Sequence, residues 1–334
     1  MRSRGSDGEL DGWVRAVNRN RTGRDDELDG QGRVVSWTGW IGVGLGVGGV
    51  VILAWTALTR IPAPHARPAP PESAPPWSAS APAGVASPGK DAGGWTFEAY
   101  RDGWRAAHSL GKGVQPGGRL AAGYLRLPYA VGVPLARAGV DPDLVTLAAL
   151  WVALVAGWTA TLGPGWAAAA GALTLLAGVA DSVDGAVAVM QGRTSAFGFV
   201  WDSTADRLAD LALIAGPVFL VATEADPPWP AVALAAGTGA AGLVLLLEYV
   251  RARAQAGQVA VAWSLVTPGE RPTRVIVLGL AGLAVGAAQL GGGSLAGAAL
   301  DAGYPLALAV LAVLEAAGSV QLLLAARHAE PRLR

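Results

Sequence analysis

The sequence predicts an all-α integral membrane protein: a six-helix transmembrane bundle with an interfacial amphipathic helix and an extra N-terminal transmembrane anchor. Three observations carry that expectation. Of the 334 residues, 52% are hydrophobic and 15% charged, with a mean hydropathy of +0.40. An ordinary soluble domain carries about 25% charged residues, so the chain is short of the charge that a watery surface needs. Six apolar segments recur at 144–162, 165–182, 198–223, 229–250, 273–290 and 303–326. Each approaches the ~20 residues that span a bilayer as a helix. The charges between these segments sort by side, as set out below.

Taken in chain order, residues 1–34 are polar and of mixed charge and read as a loosely held tail. Residues 35–59 are apolar and rich in Gly and Val, with Trp37, Trp40 and Trp55 towards the ends, where Trp favours the membrane interface. They read as a transmembrane anchor. Residues 60–94 are rich in Pro, Ala and Ser without periodicity, which describes a linker. Residues 95–143 form a juxtamembrane segment in which Phe97, Tyr100, Trp104 and Ala107 recur at helical spacing between Arg101, Arg105 and His108. Leu120, Tyr124 and Leu127 continue the pattern. A basic amphipathic helix of this kind lies along a membrane surface, or alternatively packs on the bundle as a partner helix. Residues 144–328 hold the six-helix domain.

Several function classes are excluded at this level. Formal net charge is zero, which argues against nucleic acid as a partner. Cysteine is absent, so there is no disulfide framework, thiolate metal site or cysteine nucleophile. The three histidines, His65, His108 and His328, lie outside the apolar segments. The abundant Gly and Ala allow close helix approach and permit a homodimer.

With residues 95–143 on the cytoplasmic side, that side also receives Arg193, Arg251, Arg253, Arg271, Arg274, Arg327, Arg332 and Arg334. The opposite side receives Glu224, Asp226 and Asp301, with no Lys or Arg. This is the positive-inside asymmetry, and it predicts a multi-pass protein of the cell membrane. If residues 35–59 also span, residues 1–34 lie outside despite their arginines. Either that tail is translocated or the first apolar stretch does not cross.

The feature with chemistry in it is a set of four aspartates within 26 residues: Asp181 and Asp184, three apart, then Asp202 and Asp206, four apart. Each spacing puts two carboxylates on one helix face. An acid within a membrane costs about 2.5–3.5 kcal/mol at mid-helix, so it has a partner or a function. Four such acids repel one another unless cations lie between them, and oxygen ligands without His or Cys suit Mg2+ or Mn2+, here as a site for two ions at the cytoplasmic edge. Such a site suits pyrophosphate chemistry, with one carboxylate free to deprotonate an incoming hydroxyl. The alternative is a set of interhelical salt bridges, for which Arg193 and Arg207 are too few nearby partners.

The string Asp181-x2-Asp184-Gly185-x2-Ala188-Val189-x8-Gly198-x3-Asp202-x3-Asp206 resembles the signature of the CDP-alcohol phosphotransferase family. Every spacing matches, as do the four acids, both glycines and Ala188; Val189 departs, where the family has Arg. The likeness extends over roughly residues 119–328. Within it, Val140-Asp-Pro142-Asp143-Leu-Val-Thr146 is similar to the family's Pro-Asn-x-x-Thr start of its first helix, with Asp143 in place of Asn. The resemblance implies that Asp181, Asp184, Asp202 and Asp206 bind the metals and that Asp206 also acts as general base. It implies that Gly185, Ala188 and Gly198, together with Thr146, line the nucleotide pocket. The reaction implied is transfer of a phosphatidyl group from a CDP-alcohol such as CDP-diacylglycerol to an alcohol acceptor, with release of CMP, in phospholipid biosynthesis.

Downstream, Glu248-Tyr-Val-Arg251-Ala-Arg253 and Glu270-Arg271-Pro-Thr-Arg274 resemble basic elements of bacterial phosphatidylinositol-phosphate and phosphatidylglycerol-phosphate synthases. That implies an acceptor-phosphate site at Arg251, Arg253, Arg271 and Arg274, for which Arg suits fork-like phosphate recognition. Ordinary positive-inside flanking explains the same arginines without a ligand. Arg193, four residues beyond Val189, is a candidate substitute for the missing motif cation. Asp210 continues the face of Asp202 and Asp206, either beside the site or on the helix surface. Trp151 and Trp201 read as packing or interface residues. Two rivals stand beside the enzyme: a non-catalytic family member, and a small transporter using the acids as a cation site.

Overall fold

The computed structural model describes residues 96–101, 123–193, 195–257, 259 and 267–328. The expected tail, anchor and linker (1–34, 35–59 and 60–94) and most of the juxtamembrane stretch before residue 123 lie outside the described residues. The chain divides into units 1–69 and 70–334, and every described residue belongs to the second.

Among the described residues seven main helices follow one another: α1 (Arg126–Arg137), α2 (Pro142–Ala160), α3 (Ala167–Gln191), α4 (Ala196–Glu224), α5 (Trp229–Ala256), α6 (Arg271–Gly291) and α7 (Gly293–His328). Among the described residues, five stretches are long and apolar enough to cross a membrane: α2, α3 with its lead-in turn, α5, α6 and α7. The first half of α4 carries Asp202, Asp206, Arg207 and Asp210, and α4 is not among those five. The long helices pack in a closed cycle, α3 to α2 to α4 to α5 to α7 to α6 and back to α3.

Local chemistry sets the helix ends. Asp141 caps α2 by accepting from the Asp143 N–H at 3.0 Å, with Pro142 at the first helical position. Ser195 caps α4 by accepting from the Gly198 N–H at 2.8 Å. Gly192, at φ 62°, closes α3 in the left-handed conformation that glycine adopts freely. The helices outrun their apolar segments: α3 continues nine residues past the expected end at 182, and α7 begins at 293 rather than 303. Hydropathy falls at charged residues, but a helix continues through charges that have partners. Before α7, Gly292 and Gly293 (both φ 65°) complete the turn by themselves, so a stretch that read as loop is helical.

Glycines set how closely the helices approach. A Cβ at Gly157 of α2 would overlap the Ala212 carbonyl of α4, and one at Gly216 of α4 would overlap the Gly157 carbonyl. Gly171 of α3 meets Gly279 and Gly282 of α6 in the same backbone-to-backbone way. Gly216→Val is expected to destabilise the protein by about 1–3 kcal/mol, the usual cost of overpacking. A thermal melt in detergent checks this, and an unchanged melt would show that the α2–α4 seam has room to spare.

At the outer side of α3, α1 packs through Gly132, whose Cα faces Ala186 and Met190. The Tyr129 ring meets Phe97 and Tyr100 at centroid distances of 5.4 and 5.6 Å, and Tyr100 is buried. Residues 96–101 therefore pack on α1 through this aromatic group.

Candidate active site

The paired acids sit inside their helices rather than at the ends. Asp181 and Asp184 lie two to three turns before Gly192, and Asp202 and Asp206 lie in the second and third turns of α4. α3 and α4 both pack against α2, and their acid faces converge beside it. One carboxylate oxygen each from Asp181, Asp202 and Asp206 falls within 4.8 Å of the others. Asp184 is held slightly apart. Its Oδ2 accepts from the Thr146 hydroxyl at 2.6 Å, and its Oδ1 accepts from the Gly185 N–H at 2.5 Å.

The donor set fits a hard divalent cation. Three carboxylate oxygens converge, and a fourth carboxylate is aimed by a hydroxyl. Gly185 faces open space. Gly198 is crowded: a Cβ there would lie 3.0 Å from Ser195 Oγ and 3.3 Å from Asp143 Oδ1. Ala188 lies one turn beyond Asp184 on α3. The departure at Val189 is absorbed by packing, since its side chain joins the apolar cluster formed by Tyr100, Leu125, Val183 and Met190 among others. Arg193 does not reach into the acids; it pairs with Asp141 at 3.2 Å, with both side chains about half exposed. Trp201 donates to the Asp143 carbonyl at 3.3 Å, in keeping with a packing residue.

The four downstream arginines separate into different environments. Arg271 Nη1 lies 2.6 Å from Asp181 Oδ1 and also contacts Asp206 Oδ1. Arg251 Nη2 donates to Glu270 Oε1 at 2.6 Å. Burial would raise the Glu270 carboxyl, but the hydrogen bond and charge of Arg251, with the Thr267 N–H and hydroxyl, outweigh it and hold the pKa below its ordinary value. Arg253 is exposed. Arg274, expected among the acceptor-binding cations, is 2% exposed and enclosed by carboxylates: Glu315 at 2.6 Å, Asp210 at 2.6 Å and Glu248 at 3.4 Å. Its donors are committed inside the bundle.

Arg207 completes the group, reaching Asp206 at 3.6 Å, Asp210 at 3.4 Å and Glu248 at 3.1 Å. The result is a continuous ion-pair network across α3, α4, α5, α6 and α7. Sequence reasoning left Asp210 open and passed over Glu315. A signal for Glu315 existed: an acid in the middle of the 303–326 apolar segment needs a buried cation, and Arg274 is the intramembrane candidate. Eight carboxylates, counting Asp184 and Asp202, face four guanidiniums here.

Comparison with known proteins adds to this geometry. The family model for CDP-alcohol phosphatidyltransferase matches residues 140–315. A phosphatidylinositol phosphate synthase of Mycolicibacterium smegmatis is 36% identical over 163 residues, which are 47% of this chain and 68% of that protein. A bifunctional IPC transferase and DIPP synthase of Rubrobacter xylanophilus is 37% identical over 161 residues, 47% of this chain and 35% of its own length. The fold is similar to that of Mycobacterium tuberculosis phosphatidylinositol phosphate synthase solved with CDP-DAG bound, at a TM-score of 0.50 and 23% identity, covering 63% of this chain and 98% of that one. The same synthase in complex with manganese and citrate gives a TM-score of 0.50 at 22% identity, covering 62% and 92%.

Proposed function

This chain belongs to the CDP-alcohol phosphatidyltransferase family, enzymes of phospholipid synthesis, and on that premise we propose that it transfers the phosphatidyl group of CDP-diacylglycerol to an inositol phosphate, releasing CMP. The observation that carries the reading is the convergence of Asp181, Asp202 and Asp206 within 4.8 Å, at the positions the family signature assigns to metal ligands.

In this reading Asp181, Asp184, Asp202 and Asp206 hold two Mg2+ ions. The bound ions would neutralise the diphosphate and orient the leaving CMP. Thr146 fixes the rotamer of Asp184, and Gly185 leaves room for the cytidine diphosphate. Asp206 takes the proton from the acceptor hydroxyl. The hydroxyl oxygen forms a bond to the lipid-linked phosphorus, and the bond from that phosphorus to the CMP oxygen breaks. Arg251 and Arg271 receive the acceptor's phosphate; the Nε of Arg271 is buried without a hydrogen-bond partner among the described residues, so it keeps a donor for an anion. Arg274 instead fixes α6 within the bundle.

We also propose that α4 is a sixth span, with its charged half inside the protein and its apolar half across the bilayer. The site then faces the cytoplasm, where the arginines gather. The Asp226 N–H donates to Asp301 of α7 at 3.1 Å, which ties the α4–α5 loop to α7 at the opposite end.

Purified protein given CDP-diacylglycerol, Mg2+ and a panel of acceptors tests the reading by product mass. Phosphatidylinositol phosphate from inositol phosphate is the expected lipid. Phosphatidylglycerol phosphate from glycerol phosphate would redirect the acceptor, and no CMP from any acceptor would overturn the activity. Thr146→Val is expected to lower kcat/KM for CDP-diacylglycerol by about 10–100-fold, the usual effect of losing a partner that aims a metal ligand. Thr146→Ser keeps the hydroxyl and should keep most of the activity. Equal loss in both variants would mean that packing, not the hydrogen bond, matters there.

A further inference from the structure

Two of the three converging carboxylates already have a cation between them. The Arg271 guanidinium reaches Asp181 and Asp206 together, and these oxygens are two of the three that face one another within 4.8 Å. A guanidinium and a divalent ion cannot both take the same two oxygens at bonding distance. Arg271 is also placed to leave. It starts α6 on a long flexible side chain, while Arg274, one turn further on, is locked by buried carboxylates and keeps the helix itself in register. Glu270, the neighbour of Arg271 in the chain, is bound to Arg251 at 2.6 Å, so a second guanidinium waits beside the start of the helix.

We propose that Arg271 and the divalent cation compete for Asp181 and Asp206, so that cation binding turns the Arg271 guanidinium towards Arg251 and assembles the anion site there. The inference rests on the metal-dependent reading above and adds an order to it. The cation and the CDP-alcohol bind first, and the phosphorylated acceptor binds second, because its site needs a guanidinium that the carboxylates otherwise hold. Before the cation arrives, Arg271 offsets part of the negative charge of the acid cluster. In energetic terms Arg271 imposes a conformational selection cost on the cation, and removing it removes that cost.

The test uses the full-length protein in detergent and Mn2+ alone as probe, read by electron paramagnetic resonance. If the Arg271-bound state holds about 90% of the molecules, Arg271→Gln tightens Mn2+ binding about tenfold. Arg251→Gln removes the same charge from the same network without touching Asp181 or Asp206, and should shift binding much less. Equal shifts in the two variants would reduce the effect to net charge and overturn the competition. A second measurement needs no variant: phenylglyoxal labelling of the wild type, mapped by mass spectrometry. Mn2+ should increase the Arg271 adduct while exposed Arg253 labels equally with and without the ion. An Arg271 adduct that stays constant or falls overturns the proposal. If Mn2+ binds the wild type and Asp202→Asn abolishes it, the metal reading stands whatever Arg271 does. If the wild type binds no Mn2+, both readings fall.

Discussion

Asp206→Asn is expected to lower CMP release by about a thousandfold, within the ~10²–10⁴ that a positioned general base contributes. Asn is nearly isosteric with Asp and fits the same place in the third turn of α4, but its carboxamide cannot accept the acceptor's proton. The substitution also removes the charge that faces Arg271 and Arg207, whose other partners, Asp181, Asp210 and Glu248, remain to hold them. Membrane insertion and elution from a sizing column should therefore match the wild type. CMP release is measured with saturating CDP-diacylglycerol, Mg2+ and acceptor, so that weaker ligand binding does not pass for slower chemistry. A variant that releases CMP at the wild-type rate would remove Asp206 from the role of base.

Arg274→Met should produce the largest loss of stability of any single substitution in the bundle. Arg274 is 2% exposed, Glu315 0% and Asp210 2%, so losing the guanidinium leaves acids in an apolar interior without their counter-ion. Breaking a buried pair in this way costs about 3–5 kcal/mol, because the remaining charge is uncompensated. The comparison that separates this effect from lost packing is the triple variant Arg274→Met, Asp210→Asn, Glu315→Gln, which should recover most of the stability. Arg193→Ala breaks a pair that is about half exposed and should cost no more than about 1 kcal/mol. Thermal melts of the four proteins in one detergent check the ordering. An Arg274→Met melt equal to that of Arg193→Ala would mean that water reaches the cluster.

How much of this was legible in the sequence differs by feature. The four acids were legible because both pairs obey local helical spacing and their setting is apolar, so charge alone demands an explanation. The Thr146–Asp184 contact was not legible: the family likeness put Thr146 in the nucleotide pocket and Asp184 among the metal ligands, and 38 positions separate them. The ion-pair network was not legible as a network. Asp210 meets Arg274 across 64 positions and Arg274 meets Glu315 across 41, and no local periodicity links such residues. The same blindness shortened the helices, because a hydropathy window stops at Asp184 or Arg251 without knowing that Thr146 and Glu270 partner them. It also grouped Arg251, Arg253, Arg271 and Arg274 together. Tertiary packing divides them into one exposed cation, one buried strut and two beside the acids.

The glycine seam between α2 and α4 has a consequence for recombination among relatives. Because Gly157 and Gly216 each lie against the other helix's backbone, neither helix is an interchangeable part. A chimera that imports one of them from a homologue with a larger residue at the seam would push the pair apart. The aspartates of α4 would then move away from Thr146 and the acids of α3. Swapped as a pair, the two helices bring their fit with them, and the carboxylates of α4 keep their place opposite Asp181 and Asp184 of α3.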